Sequence, residues 1–232
     1  MTPYYNHNGL TIYHGDCREV LPGIERGSVD LILTDPPYGC KWRSNYRSER
    51  FDFIAGDDSV DAAQVAIELS IPSLKSSAHL YVFGRIPLAS PFLSSSVELI
   101  WDKGMMNSGN LELPWGNQHE YIQFCVYSSS KQNVAEGKGR LSARIRKGTV
   151  LRIQRLNSGA VNHPAEKPVR LLRELIESSS CMDDLVLDPF FGIGSTLVAA
   201  QLEGRNAVGI EIEEKYCEIA AKRLSQEVLC FE

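Results

Sequence analysis

Residues 185–211 read LVLDPFFGIGSTLVAAQLEGRNAVGIE and change character three times. Residues 185–187 are a short apolar run of the length expected for a strand buried on both faces. Residues 188–196 (DPFFGIGST) form a turn with glycines at 192 and 194, and residues 195–202 open a helix. Residues 207–210 are a second strand that ends in Glu211. Strand, glycine turn, helix and acid-tipped strand is the layout of a nucleoside-binding βαβ unit, which predicts an α/β fold built on a parallel sheet. Gly192 and Gly194 would let the backbone approach a ligand. Glu211, 17 residues beyond Gly194, would accept bonds from two ribose hydroxyls. The third glycine of a dinucleotide fingerprint is missing, and no lysine follows as in a triphosphate loop. Asp188, at the mouth of the turn, suits a positively charged ligand group such as a methionyl ammonium better than a pyrophosphate.

Outward from this unit, the most constrained stretch is residues 29–39, VDLILTDPPYG. Its apolar run Leu31-Ile32-Leu33 is a second buried strand. Pro36 and Pro37 each fix their own φ, and neither donates to a ladder, so the chain leaves the sheet on a stiff bracket. Asp35 and Tyr38 are thereby held at the carboxyl end of a strand, the edge where an open α/β sheet binds ligands. An amino group conjugated to an aromatic ring is a poor nucleophile because its lone pair is delocalised. The Asp35 carboxylate and the Pro36 carbonyl, placed at its two hydrogens, would favour a pyramidal nitrogen aimed at an electrophile. Tyr38 offers a flat face for stacking. Asp-Pro-Pro is also a common turn, so this bracket gains its meaning from the rest of the chain.

The remaining pattern fits an alternating α/β chain. Strands are predicted at residues 8–13, 78–83, 97–101, 121–127 and 149–153. One or two helical turns fall at 18–24 and helices at 61–70, 167–179 and 213–224. In 61–70 the expected buried face is Ala62, Val65, Ala66 and Leu69. In 167–179 it is Val169, Leu172, Leu175 and Ile176, with Pro168 in the first turn. Residues 39–58 lack clean periodicity and read as a long loop over the strand ends.

At 232 residues with 43% hydrophobic and 23% charged content, the chain is expected to form one globular domain, residues 1–232, with a modest basic insertion. No apolar run reaches membrane-spanning length and no signal peptide is apparent. The six cysteines have no paired spacing, which speaks against a metal site and for reduced thiols in a cytoplasm. The net charge of −5 conceals two basic stretches. Residues 131–155 carry eight Lys/Arg, among them Arg140, Arg144, Arg146 and Lys147, against the single Glu136. Residues 41–50 hold Lys41, Arg43, Arg47 and Arg50 with Trp42 and Tyr46 between them. An acidic body with two basic loops fits a protein that grips phosphate at one face, although such loops are also met as plain solvated surface.

These motifs together resemble the beta class of DNA amino-methyltransferases, whose motifs run in permuted order. The target motif stands as Asp35-Pro36-Pro37-Tyr38, and the methyl-donor motif Asp-Pro-Phe-x-Gly-x-Gly stands much later, at residues 188–194. The His-Pro-x-x-Lys-Pro motif appears as His163, Pro164, Lys167 and Pro168. Trp101-Asp102-Lys103 and His119-Glu120-Tyr121 resemble the middle motifs, and the Gly-Ile-Glu ending at Glu211 resembles the last. The resemblance implies a seven-stranded, mostly parallel Rossmann-like sheet with one antiparallel strand. It implies S-adenosylmethionine bound across Asp188, Pro189, Phe190, Gly192, Gly194, Ser195 and Thr196, with Glu211 on the ribose. Asp16 and Cys17 would border the adenine, Lys167 and neighbouring Pro168 would close the methionine end, and Asp35 would count among the donor-binding residues as well as the catalytic ones. The implied partner is double-stranded DNA, gripped by the basic loops, with the target base flipped out of the stack. Relatives of this class often form homodimers and often have a cognate restriction endonuclease; a bacterial or phage origin follows. Adenine N6 is the expected target, because cytosine amino-methylases of the class more often carry Ser where Asp35 stands. RNA-base or protein-amide methylation is the runner-up, and an inert DNA-binding relative is a third reading. Residues 128–161 are the expected recognition region, and His119 and Glu120 are expected to be structural.

Overall fold

The computed structural model describes residues 1–37, 60–106, 114–128, 147–156 and 166–226. Its strands are β1 (Tyr5–His7), β2 (Leu10–His14), β3 (Val29–Thr34), β4 (Leu74–Phe83), β5 (Leu93–Asp102), β6 (His119–Tyr127), β7 (Val150–Arg152), β8 (Leu185–Asp188) and β9 (Asn206–Glu211). The helices are α1 (Cys17–Val20), α2 (Val60–Ser70), α3 (Val169–Ser179), α4 (Ser195–Leu202) and α5 (Glu214–Leu224). Among the described residues the strands form one sheet in the order β1-β2-β9-β8-β3-β4-β6-β5-β7. The inner seven, β2 to β5, match the seven-stranded expectation. β6 runs antiparallel to both of its neighbours, and β2, β9, β8, β3 and β4 are mutually parallel. β1 and β7 are short additions at the two edges.

β3 is the central strand and all six of its residues are buried. Leu31 and Leu33 face a core shared with Leu171, Leu175 and Ile176 of α3, Leu197 of α4 and Leu224 of α5. Val29 and Ile32 face the opposite core, with Val20 of α1 and Ala66 and Ile67 of α2. Alternate side chains therefore meet helices on both faces, which is why the strand reads as a continuous apolar run.

The chain runs from β8 through α4 to β9 in one direction along the sheet and from β3 through α2 to β4 in the other. Strand order thus reverses between β8 and β3, and the crevice at their carboxyl ends is the position where such sheets bind ligands.

Several local expectations need correction. The strand expected at 8–13 is a hairpin, β1 with β2, turned by Asn8 and Gly9 at φ 48° and 77°. The strand expected from residue 78 starts at Leu74, and between the pairs Val29↔Leu74 and Leu31↔His79 it bulges, with Ser77 at φ 67°. The buried face of α2 is Ala63, Ala66, Ile67 and Ser70, whereas Val65 and Leu69 are 47% and 39% exposed. Apolar residues lie all round this helix, so periodicity could not fix its rotation; the placement of Ile67 in the core does. In α3, Leu171 joins the predicted face and Pro168 is the N-cap.

Candidate active site

Parallel pairing of β3 with β8, Leu31↔Val186 and Ile32↔Leu187, brings the two sequence motifs side by side at their strand ends. Thr34 Oγ1 donates to Asp188 Oδ1 at 2.8 Å across this junction. One cavity is lined by Thr34, Asp35, Lys167, Asp188, Phe190, Gly192, Ser195 and Thr196, together with Phe83, Glu166 and Phe191. Residues 153 positions apart in the chain, Asp35 and Asp188, thus share one pocket.

Asp188 is only 2% exposed, and its Oδ1 also accepts from the Phe190 amide at 3.0 Å. Burial pushes its carboxyl up to about 6, while hydrogen bonds from Thr196, the Phe190 amide and Thr34 work against that shift. With these donors engaged, Asp188 braces the turn on which a ligand would rest.

The two glycines of the turn differ in what they permit. Gly192 has φ 55°, and a Cβ there would meet nothing within 4 Å, so its backbone lies open to an approaching ligand. Gly194 has φ 85°, and a Cβ there would lie 2.8 Å from the Ala220 Cβ of α5. Its absence of side chain serves helix packing.

Glu211, at the tip of β9, accepts from the Gly192 amide at 3.0 Å and the Glu213 amide at 2.9 Å. Burial raises its carboxyl to about 7. A shielded acid fixed beside an open glycine is the geometry expected of a diol acceptor. Asp16 lies past the end of β2, next to β9, where the Gly15 amide donates to the Glu211 carbonyl at 2.9 Å. Its carboxylate caps α1 and pairs with Arg18 at 2.5 Å, which holds it below the usual carboxylate range. Cys17 is buried, and burial pushes its thiol up to about 12, so it acts as apolar wall.

Lys167 is the residue whose placement sequence reasoning least anticipated. Immediately before the N-cap of α3, it reaches over the carboxyl ends of β3 and β4. Its ammonium lies 2.5 Å from Asp35 Oδ2, 3.4 Å from Glu120 Oε2 and 5.0 Å from the centroid of the Phe83 ring. Burial pulls this ammonium down, but the two carboxylates outweigh it and hold it above its ordinary value. Glu120 in turn pairs with Lys103 at 2.5 Å.

Pro36 and Pro37 follow Asp35 as expected, Pro36 buried and Pro37 half-buried. Pro189 is buried in the Asp188 turn. Tyr38, Lys41, Trp42, Arg43, Tyr46, Arg47, Arg140, Arg144 and Arg146 lie outside the described residues, as does His163. Lys147 is described, and its ammonium sits on Glu177 at 3.1 Å and Glu174 at 3.9 Å of α3. Thr34, Phe83, Glu166 and Phe191 line the site without having been predicted. Thr34 and Glu166 directly precede predicted site residues, which is the signal that would have found them. Among the described residues no group of three side chains could hold a metal ion, and no helix is long and apolar enough to cross a membrane.

A doubly wound sheet whose switch-point crevice carries an acid-tipped strand, an open glycine turn and a proline-braced carboxylate defines a nucleoside-binding α/β protein of the methyltransferase type. A sequence profile described as DNA methylase matches residues 29–222, and the chain belongs to that family, the N6/N4 amino-methylases of DNA. Relatives include the type II methyltransferase M.HinfI of Haemophilus influenzae, 32% identical over 93% of this chain and 68% of its own length. The putative methylase YubD of Escherichia coli (strain K12) is 33% identical over 91% of this chain and 88% of its own. Among solved structures, PvuII DNA methyltransferase (cytosine-N4-specific) superposes with TM-score 0.71 at 19% identity, covering 98% of this chain and 90% of its own. The M1.HpyAVI–SAM complex superposes at 0.69 and 21% identity, covering 94% and 100%. At those identities the two structures speak for the fold.

Proposed function

We propose that this DNA methyltransferase transfers a methyl group to the exocyclic 6-amino group of adenine in double-stranded DNA, with S-adenosylmethionine as donor. The observation that carries the reading is the shared cavity of Asp35 and the Asp188–Thr196 turn, locked by the Thr34–Asp188 bond. S-adenosylmethionine supplies an electrophilic methyl on a sulfonium. The chain's own residues fit that group: Gly192 leaves open space, and Glu211 presents a half-buried acceptor beside it. The cavity described above is too tight for a whole nucleoside, about 60 Å³, so the adenosine part would lie along the rim towards Glu211 and Asp16.

At the opposite wall the Asp35 carboxylate and the Pro36 carbonyl would each accept one hydrogen of the target amine. This pyramidalises the nitrogen and turns its lone pair towards the donor. No strong base is required, because the amine loses its proton after it has become cationic. A duplex base cannot reach this wall while stacked, so it is extruded, at roughly a few kcal/mol. Tyr38 then stacks on it, and Lys41, Trp42, Arg43, Tyr46, Arg47, Arg140, Arg144 and Arg146 hold the flanking strand, joined by Lys147 only if its ammonium leaves Glu177 and Glu174. Residues 128–161 read the site. The family resemblance and the type II relatives suggest a cognate endonuclease as partner, and the resemblance alone suggests a homodimer as the working form.

Asp35 favours adenine over cytosine N4 within this family. The deciding measurement incubates the protein with donor and mixed-sequence duplex DNA, followed by base-resolved detection of the product. The expected outcome is N6-methyladenine at a short recurrent site, lost in Asp35→Ala. N4-methylcytosine as the sole product would overturn the base assignment, and an Asp35→Ala variant with near-normal turnover would overturn the mechanism.

A further inference from the structure

We infer that Glu120 is a positioning residue for Asp35: it is a second seat for the Lys167 ammonium, which it receives when Asp35 turns to the substrate amine. This rests on the proposed role of Asp35 as amine acceptor. Lys167 Nζ sits 2.5 Å from Asp35 Oδ2, on the carboxylate that an amine hydrogen has to reach. Lys167 is 8% exposed and packed over the Phe83 ring, so it cannot retreat into water. A buried ammonium that loses its closest counter-ion is strongly destabilised unless another anion takes its place.

Glu120 is built as that anion. Its Oε1 is fixed by Lys103 at 2.5 Å, and Lys103 is itself buried, 5.4 Å from the centroid of the Trp101 ring. Its Oε2 is buried and makes no hydrogen bond among the described residues. It lies 3.4 Å from Lys167 Nζ, inside ion-pair range but outside hydrogen-bond geometry. One oxygen is anchored and the other waits for a donor. A shift of under an ångström by the flexible lysine head would close the second bond. The pairing Trp101↔Glu120 on β5 and β6 sets this anchor on rigid strands, next to the end of β4. Two lysines and two carboxylates keep the cluster neutral wherever Lys167 sits. Despite burial, Lys167 and Lys103 hold the Glu120 carboxyl below its usual range, so it is charged and ready to receive.

Two readouts on the full chain test this. In thermal melts without DNA or donor, Asp35→Asn should lower the midpoint little, because Lys167 moves to Glu120. The same change in a Glu120→Gln background should lower it far more than the two single losses combined. Additive losses would overturn the proposal. So would a large loss in Asp35→Asn that only added donor repairs, since the second seat would then be the donor's carboxylate. In single-turnover methyl transfer with saturating DNA and donor, Glu120→Gln should slow the step roughly 10- to 100-fold, with donor KM nearly unchanged. Glu120→Asp should recover part of the rate, and Glu120→Gln should slow Lys167→Met no further. An unchanged rate in Glu120→Gln would overturn the inference. If the parent chain transfers no methyl to DNA, the functional reading fails, while the melts still decide where Lys167 can sit.

Discussion

Glu211 is held in a state that opposes stability and that the proposed ribose role would use. Its carboxyl lies at about 7 in the folded chain, against an ordinary glutamate value near 4.5. Between those two values the unfolded chain binds fewer protons than the folded one, so stability falls as pH rises through that window. The penalty is complete above about pH 7 and absent below about pH 4.5, with an upper bound of about 3 kcal/mol. Glu211→Gln should therefore melt several degrees above the parent at pH 8 and close to it at pH 5, while binding S-adenosylmethionine more weakly. Equal midpoints at pH 8 would remove the half-buried Glu211 charge from the account. Asp35 and Asp188 were legible as candidates because a proline follows each at a strand end, and Glu211 because it ends the strand after the glycine turn. Lys167 was legible as a motif member but not as the partner of Asp35 and Glu120. That partnership depends on β6 lying next to β4, and no spacing in the sequence encodes this.

At the level of single elements, the turn between β8 and α4 makes the sharpest forecast. Gly194→Ala must hold φ 85° and place a methyl 2.8 Å from Ala220, so a loss on the order of 2–4 kcal/mol is expected in denaturant melts. Gly192→Ala carries only the strain of φ 55°, about 1 kcal/mol, but fills the space above the turn. It should weaken donor binding more than folding. The reverse ranking in melts would mean that the turn relaxes away from α5. Strands and helices with one dominant apolar pattern, such as β3, β8 and α3, were readable in type and place. The Asn8-Gly9 hairpin was missed, because the turn was read as part of one strand and a three-residue partner carries too little pattern to announce itself. The start of β4 was hidden by its bulge, where alternation breaks. The face of α2 was hidden because alanines and larger apolar residues surround the whole helix.

For the molecule as a whole, the order β2-β9-β8-β3 inserts the last two strands of the chain between two of the earliest. The N-terminal hairpin meets the rest of the sheet through β9, so the sheet cannot close until the carboxyl-terminal third has been made. Such distant pairings also slow folding. A chain shortened after Ser180 should show no cooperative thermal transition by circular dichroism, and a sharp transition in that fragment would contradict this dependence. The same arrangement explains why the site escaped a purely local reading, since its two walls come from opposite ends of the polypeptide. The sheet's margins have a further consequence. Among the described residues β1 is only three residues long, whereas β7 pairs just Ile100–Asp102 of the ten-residue β5, so the two margins differ in how much ladder a neighbouring molecule could extend. Strand addition between copies is therefore disfavoured at the β1 margin, and at the other it would have to run along Leu93–Leu99 of β5, beyond the reach of β7.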